Sequence, residues 1–113
     1  MSKFVPIFDK IVDSSIWREN DLVVKVFITM LAKQDGDHVV RADAYIIGEW
    51  ARKTEEEAEE ALRVLSSPDT KRRLPQPHEG RRIEKVEDGW MILNGDKYQG
   101  DMRKIFQRAR KAD

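Results

Sequence analysis

Lys71, Arg72 and Arg73 stand eight positions before Arg81 and Arg82, with Lys85 following, so six cations bracket the stretch SSPDTKRRLPQPHEG and lead out of it. Four of the six are Arg, whose guanidinium donates paired N–H bonds that match two phosphate oxygens or the O6 and N7 atoms of guanine. Each phosphate neutralised by such a group releases counterions, so binding by this set would weaken steeply with salt. The alternative for the same residues is a solvated charged loop without a ligand. A second cationic set lies near the end of the sequence, where Arg103, Lys104, Arg108, Arg110 and Lys111 surround Met102, Ile105, Phe106 and Ala109. That apolar spacing of i, i+3, i+4, i+7 predicts a basic amphipathic helix, which either packs on its own domain or a second subunit through Met102, Ile105 and Phe106, or adds contacts to nucleic acid.

The opposite charge is concentrated in TEEEAEEALRVL, residues 54–65, with five glutamates in six positions. Glutamates there favour the positive end of a helix dipole, Thr54 and Glu57 form a capping-box pattern, and Glu59 stands four residues before Arg63. The functional reading is a protein-facing acidic surface of Glu55, Glu56, Glu59 and Glu60, because carboxylates set against a phosphate backbone are repelled.

No residue set suggests catalysis. Ser14, Ser15, Ser66 and Ser67 belong to no motif that pairs them with His38 or His78, and no phosphate-cradling glycine loop is present. Asp35-Gly36-Asp37 is a fragment of a calcium loop without its later carboxylate, and reads as a turn. With no cysteines and two distant histidines, neither disulfides nor a metal centre is expected, and no cofactor. We therefore expect a non-enzymatic protein.

At 113 residues the chain suits one hydrophobic core plus a terminal extension. Hydrophobic residues at 40% against 37% charged place it among soluble globular proteins rather than disordered ones. No apolar run approaches a membrane span of about 18 residues, and MSKFVPIFDK lacks the apolar stretch of a signal peptide, so no membrane contact and a cytoplasmic location are expected. Zero net charge conceals a division. Residues 1–70 hold 9 Lys and Arg against 14 Asp and Glu, and residues 71–113 hold 12 against 7, leaving −5 and +5. A polyanion responds to such a local basic region rather than to the total.

The elements that must position these groups are set by periodicity. Ile7, Phe8, Ile11 and Val12 after Pro6 predict a short helix broken at Ser14 and Ser15, with Ile16 and Trp17 anchoring the turn on the core. From Asp21, the stripe Val23, Val26, Phe27, Met30 and Leu31, thickened by Val24 and Ile28, predicts the central helix, capped by Asn20 or Asp21 and closed by Gly36. Val39 and Val40 predict a small strand. Asp43 then caps a helix with Ile46, Ile47, Trp50 and Ala51 inward, in which Gly48 implies a close approach to a neighbouring helix. After a tight connection at Lys53, the face Ala58, Ala61, Leu62 and Leu65 completes a helix-turn-helix. A loop over 66–80 holds three prolines, and RRIEKVEDGWMILN predicts a hairpin over 81–94 around Asp88-Gly89, a dipeptide suited to a type I′ turn, with a bulge or shifted register since Ile83 and Val86 break a period of two. Trp17 and Trp50 are read as core. Trp90 either packs on the sheet face or stacks on a base.

The expected class is mainly α with a small β-hairpin: a winged helix-turn-helix over residues 1–98, followed by the basic helix at 99–113. In DSSIW, VFITMLAKQDGDHVVRA, EEALRVLSSPD and EGRRIEKVEDGWMILNGDKY the chain resembles the winged-helix domain of phage and prophage replication proteins, of the kind found at the N-terminus of DnaD-like replisome organisers. The resemblance covers roughly residues 4–98, and it implies binding of double-stranded DNA or assembly with a replication protein, in initiation or its regulation. Relatives of that kind often continue into a longer charged region, so a full organiser role is not implied for this sequence. The expected DNA contacts are Lys71, Arg72, Arg73, Arg81, Arg82, Lys85, Arg103, Lys104 and Arg108. The rival is an adaptor that docks a basic replication protein on Glu55, Glu56, Glu59 and Glu60, and a third reading is a small homodimer held by the tail.

Overall fold

The computed structural model of the chain describes residues 9–69 and 77–93. The expected start of the first helix, the middle of the Pro-rich loop, and the amphipathic segment with Arg103, Lys104 and Arg108 lie outside the described residues. The described chain forms three α-helices and a three-stranded antiparallel sheet around one core.

The opening stretch forms a 3-10 turn at Asp9–Asp13, within the expected short helix, and a second at Ser15–Arg18, where a turn was expected. Ser14 shows why the first is 3-10: its Oγ and N–H both donate to the carbonyl of Ile11, at 2.8 and 3.1 Å, closing an i to i−3 turn. Ile16 enters the core as expected, but Trp17 remains 45% exposed.

Helix α1 spans Asp21–Lys33, and the Asn20 side chain accepts from the Val23 N–H at 2.9 Å. Its buried stripe is Val23, Val26, Phe27, Met30 and Leu31, as the spacing predicts. Val24 and Ile28 are only half-buried on its flank. The helix does not end on Gly36. Gln34 turns the backbone extended, and Asp35 organises the turn into β1: one carboxylate oxygen accepts from the N–H groups of Asp37 and Val39, at 2.8 and 3.0 Å, and the other from Arg41 Nε at 2.8 Å. The Asp35-Gly36-Asp37 turn is thus held by its first residue, and the left-handed position falls on His38 at φ 64°.

Strand β1 is Val39–Val40, and α2 is Ala44–Ala51, capped by the Asp43 side chain on the Ile46 N–H at 2.9 Å. Only part of its expected inward face is inward. Ile47, Gly48 and Ala51 are buried, whereas Ile46 and Trp50 are 40% and 38% exposed. Successive helix positions turn by about 100°, so the arc from Ile47 through Ala51 to Gly48 leaves Ile46 and Trp50 on the other side. A Cβ at Gly48 would lie 3.0 Å from the Lys53 carbonyl oxygen and 3.1 Å from that of Thr54, so the close approach is to the start of the next helix. The connection turns through Arg52, at φ 58° and ψ 47°.

Helix α3 spans Glu55–Ser66 with its capping box complete: Thr54 Oγ1 accepts from the Glu57 N–H at 3.1 Å, and Glu57 Oε1 accepts from the Thr54 N–H at 2.9 Å. That second bond is the leading reason the Glu57 carboxyl titrates below its usual range. Ala58, Ala61, Leu62 and Leu65 face the core. Arg63 pairs with Glu60 at i, i+3 where Glu59 was expected, its Nε 2.9 Å from Glu60 Oε2. Replacing Thr54 with Ala should lower the unfolding free energy by about 1 kcal/mol, the usual worth of an N-cap oxygen, read as a lower urea midpoint at constant slope.

The hairpin consists of β2, Ile83–Val86, and β3, Gly89–Ile92, and the sheet order is β1-β3-β2. Its register runs unbroken from Ile83 opposite Ile92 to Val86 opposite Gly89, so neither the bulge nor the shift occurs. Ile83 and Val86 fall on opposite faces of a regular strand, and Ile83 alone is buried. The turn residues are Glu87 and Asp88, neither of which has positive φ, so the turn is not type I′. Gly89 serves a different end. A Cβ on it would meet the Val40 carbonyl oxygen, with the Val40 carbonyl carbon at 2.9 Å and the Arg41 Cα at 3.0 Å. Val40 pairs with Trp90, and Ile83, Ile92 and Val40 close the core under the helices, with Trp90 half-buried against it.

Candidate nucleic-acid interface

The Pro-rich loop leaves and re-enters the fold through a closed neck. The Asp69 N–H donates to the Glu79 carbonyl at 2.9 Å, and Gly80, at φ +82°, lies so close to Asp69 that a Cβ would meet the Asp69 Cα at 3.3 Å. The Arg82 N–H then donates to the Leu65 carbonyl at 2.9 Å, tying the exit of α3 to the start of β2. Lys71, Arg72 and Arg73 belong to the segment spanning this neck but lie outside the described residues, as do Arg103, Lys104 and Arg108.

The three described cations of the expected interface do different things. Arg81 is at the surface beside the neck, with Nε 3.3 Å from the His78 carbonyl and a guanidinium nitrogen 3.8 Å from Glu84. Lys85 is exposed, donates to the carbonyls of Val86 and Gly89 at 2.9 and 3.2 Å, and holds its ammonium 5.4 Å from the centre of the Trp90 ring. Arg82 points inward. Its guanidinium donates to Ser15 Oγ at 2.6 Å and lies 3.9 Å from Asp69, with side chains only 13% and 8% exposed. This arginine ties the first turn to the neck, and its charge faces Asp69.

Two other surfaces, α3 and the hairpin, are acidic. Glu55, Glu56, Glu59 and Glu60 are exposed along α3, and pairing with Arg63 holds Glu60 below the usual carboxylate range. At the hairpin, Glu84, Glu87 and Asp88 are exposed, and Arg41 bridges Asp88 to Asp35 across the β1 side. Asp35 itself is held below its usual range, chiefly by the Val39 N–H, then by Asp37 and Arg41. Residues 9–69 and 77–93 together carry 11 Lys and Arg against 18 Asp and Glu, a balance of −7. The remaining segments carry 10 against 3, a balance of +7. Positive charge is therefore concentrated on residues 71–73 and on the last part of the sequence.

Periodicity missed a second feature. Trp17 and Trp50, read as core, stand on a cleft along the outside of α1, and Lys33 holds its ammonium 4.9 Å from the Trp50 ring. The available signal was weak: Val24 and Ile28 lie off the main stripe of α1 at i, i+4, and so mark a second, narrower apolar line.

Comparison of the chain with protein-family models, with curated proteins and with solved structures finds no match. Among the described residues no helix is long and apolar enough to cross a membrane, and no group of three or more His, Cys, Asp or Glu gathers as a metal site.

Proposed function

We propose that the chain is a non-catalytic, cytoplasmic DNA-binding domain of winged-helix type, acting in phage or prophage replication initiation or its regulation. It grips the DNA backbone through Lys71, Arg72 and Arg73, with Arg81 beside the loop neck, Lys85 at the hairpin turn, and Arg103, Lys104 and Arg108 adding contacts. The winged-helix reading is supported by the order α1, β1, α2, α3, β2, β3 and by β3 pairing with both β1 and β2. The resemblance of the sequence to replication proteins supports the setting. The observation that carries the choice of surface is the separation of charge: an acidic α3 and hairpin, and a cationic excess on the loop and the end of the sequence. A helix lined with Glu55, Glu56, Glu59 and Glu60 is a poor groove reader, since each carboxylate would offset the counterion gain. Arg82 is left out of the contact set because it is engaged with Ser15 and Asp69.

Titration of a labelled duplex at two salt concentrations tests this. Wild type should bind at low salt and weaken steeply as salt rises. Replacing Lys71, Arg72, Arg73 and Arg81 with Ala should lower the logarithmic salt slope by about 3 to 4, close to one per phosphate contact. Absence of binding at low salt, or a slope unchanged by the four substitutions, overturns the assignment.

The acidity of α3 favours a second reading, an adaptor that docks a basic replication protein on Glu55, Glu56, Glu59 and Glu60. Replacing these four with Gln would then abolish capture of the basic partner and leave duplex binding no weaker.

A further inference from the structure

Val24, Ile28 and Ala32 recur at every fourth position of α1 and form one side of a cleft of about 1070 Å3 that Trp17 and Trp50 also line. Both Trp residues are exposed, and Ile46, 40% exposed and one turn before Trp50 on α2, extends the apolar surface. Contiguous apolar surface of this kind on a small domain marks a place where something else packs. The charged residues around the cleft divide evenly, with Glu19, Asp21 and Glu49 against Lys25, Lys33 and Arg52. Such a rim suits an amphipathic occupant better than a strongly charged one.

We infer that the occupant is the 101–113 segment of the same chain, with Met102, Ile105 and Phe106 filling the space beside the two Trp rings. Three observations converge on it. On a helix, Met102, Ile105, Phe106 and Ala109 share one face, and Arg103, Lys104, Arg108, Arg110 and Lys111 fall on the other. The path is short: the Leu93 N–H donates to the Arg82 carbonyl at 2.9 Å, and the Arg82 guanidinium reaches Ser15, two residues before Trp17. The chain thus leaves β3 near the Trp17 end of the cleft, and residues 94–101 can cover about 26 Å when extended. Charge is compatible as well, since the cleft rim is balanced and the five Lys and Arg of the segment lie on its other face. Docked this way, it hides its apolar face and turns its cations outward. The inference is independent of DNA binding, and it holds or fails without a duplex present.

The chain has no cysteine, so an introduced pair reports on one contact alone. The full chain with Ile28→Cys and Phe106→Cys, under mild oxidation, should close an intramolecular disulfide at least about tenfold faster than Ile28→Cys with Lys111→Cys, which places the second thiol on the outward face. Equal rates overturn the inference. Mixing the two single variants, Ile28→Cys and Phe106→Cys, tests a second copy as occupant: a crosslinked dimer forming as fast as the intramolecular bond overturns the same-chain assignment. Ile105→Asp with Phe106→Asp, free of any crosslink, should shift Trp emission to the red while far-ultraviolet dichroism stays helical. Unchanged emission also overturns it.

Discussion

Gly89→Ala should lose on the order of 3 kcal/mol of folding free energy, at or beyond the upper end of ordinary overpacking. A single methyl produces this because the atoms in its way are main-chain atoms of the neighbouring strand. The Cβ would occupy the position of the Val40 carbonyl oxygen and press on the Arg41 Cα at 3.0 Å. A crowded side chain can change rotamer, but this carbonyl lies in a strand of two residues whose register with Met91 and Trp90 fixes it. Either β1 separates from β3 or the hairpin tilts away from the helices, and both expose Val40, Ile83 and Ile92. For a domain of this size, total stability is about 5–15 kcal/mol, so the loss is a large fraction. Gly36→Ala is the matched control, since nothing lies within 4 Å of its added Cβ and its φ is not positive. Urea unfolding of the two variants should give a much lower midpoint for Gly89→Ala and one at or above wild type for Gly36→Ala. Equal midpoints would remove the close approach as the reason for glycine.

Arg82→Ala should cost about 2 kcal/mol, within the range for hydrogen bonds to a charged group, while Arg81→Ala should stay within about 0.5 kcal/mol. The two arginines are neighbours in sequence and look alike as phosphate ligands. In the fold, Arg82 holds Ser15 at 2.6 Å and faces Asp69 at 3.9 Å in a mostly enclosed position, whereas Arg81 lies along the surface. Arg82→Lys should not restore the loss, because an ammonium lacks the planar fork that can serve a hydroxyl on one side and a carboxylate on the other. Thermal unfolding of the three variants decides this. A loss at Arg81 equal to that at Arg82 would contradict the inward assignment. The same measurement bears on DNA experiments, since a charge deletion that includes Arg82 would confuse lost affinity with lost fold.

The elements that could be read from the sequence are those whose determinants are local. Thr54 and Glu57 satisfy each other across three positions, Asn20 and Asp43 each reach an N–H three residues on, and the α1 stripe keeps its spacing over 13 residues. What was not legible depends on partners far along the chain. Ser15 is 67 positions from Arg82, so a count of cations in RRIEK could not separate the arginine that faces inward from the one at the surface. Gly89 follows Asp88 and looks like turn chemistry, yet its constraint comes from Val40, on a strand 49 positions earlier. Trp17 and Trp50 looked like core on hydrophobicity alone, and their exposure depends on which arc of α2 and which side of α1 the core occupies. Within the candidate interface, the acidic α3 was legible because charge needs no fold to be counted. The neck beside Arg81 was not, because it is made by backbone bonds from Asp69 to Glu79 and from Arg82 to Leu65.

The sheet order has a consequence for assembly. Among the described residues β1 and β2 are the outer strands, and an outer strand with open backbone groups invites a strand from another molecule. Here β1 offers only two residues, and β2 carries Glu84 and Lys85 in succession, both exposed, before Glu87 and Asp88 at the turn. A second copy aligned along β1 would gain few backbone bonds, and one aligned along β2 would have to accommodate its exposed charged side chains. Among the described residues the sheet ends at three strands, and its short or charged borders disfavour growth of a ribbon.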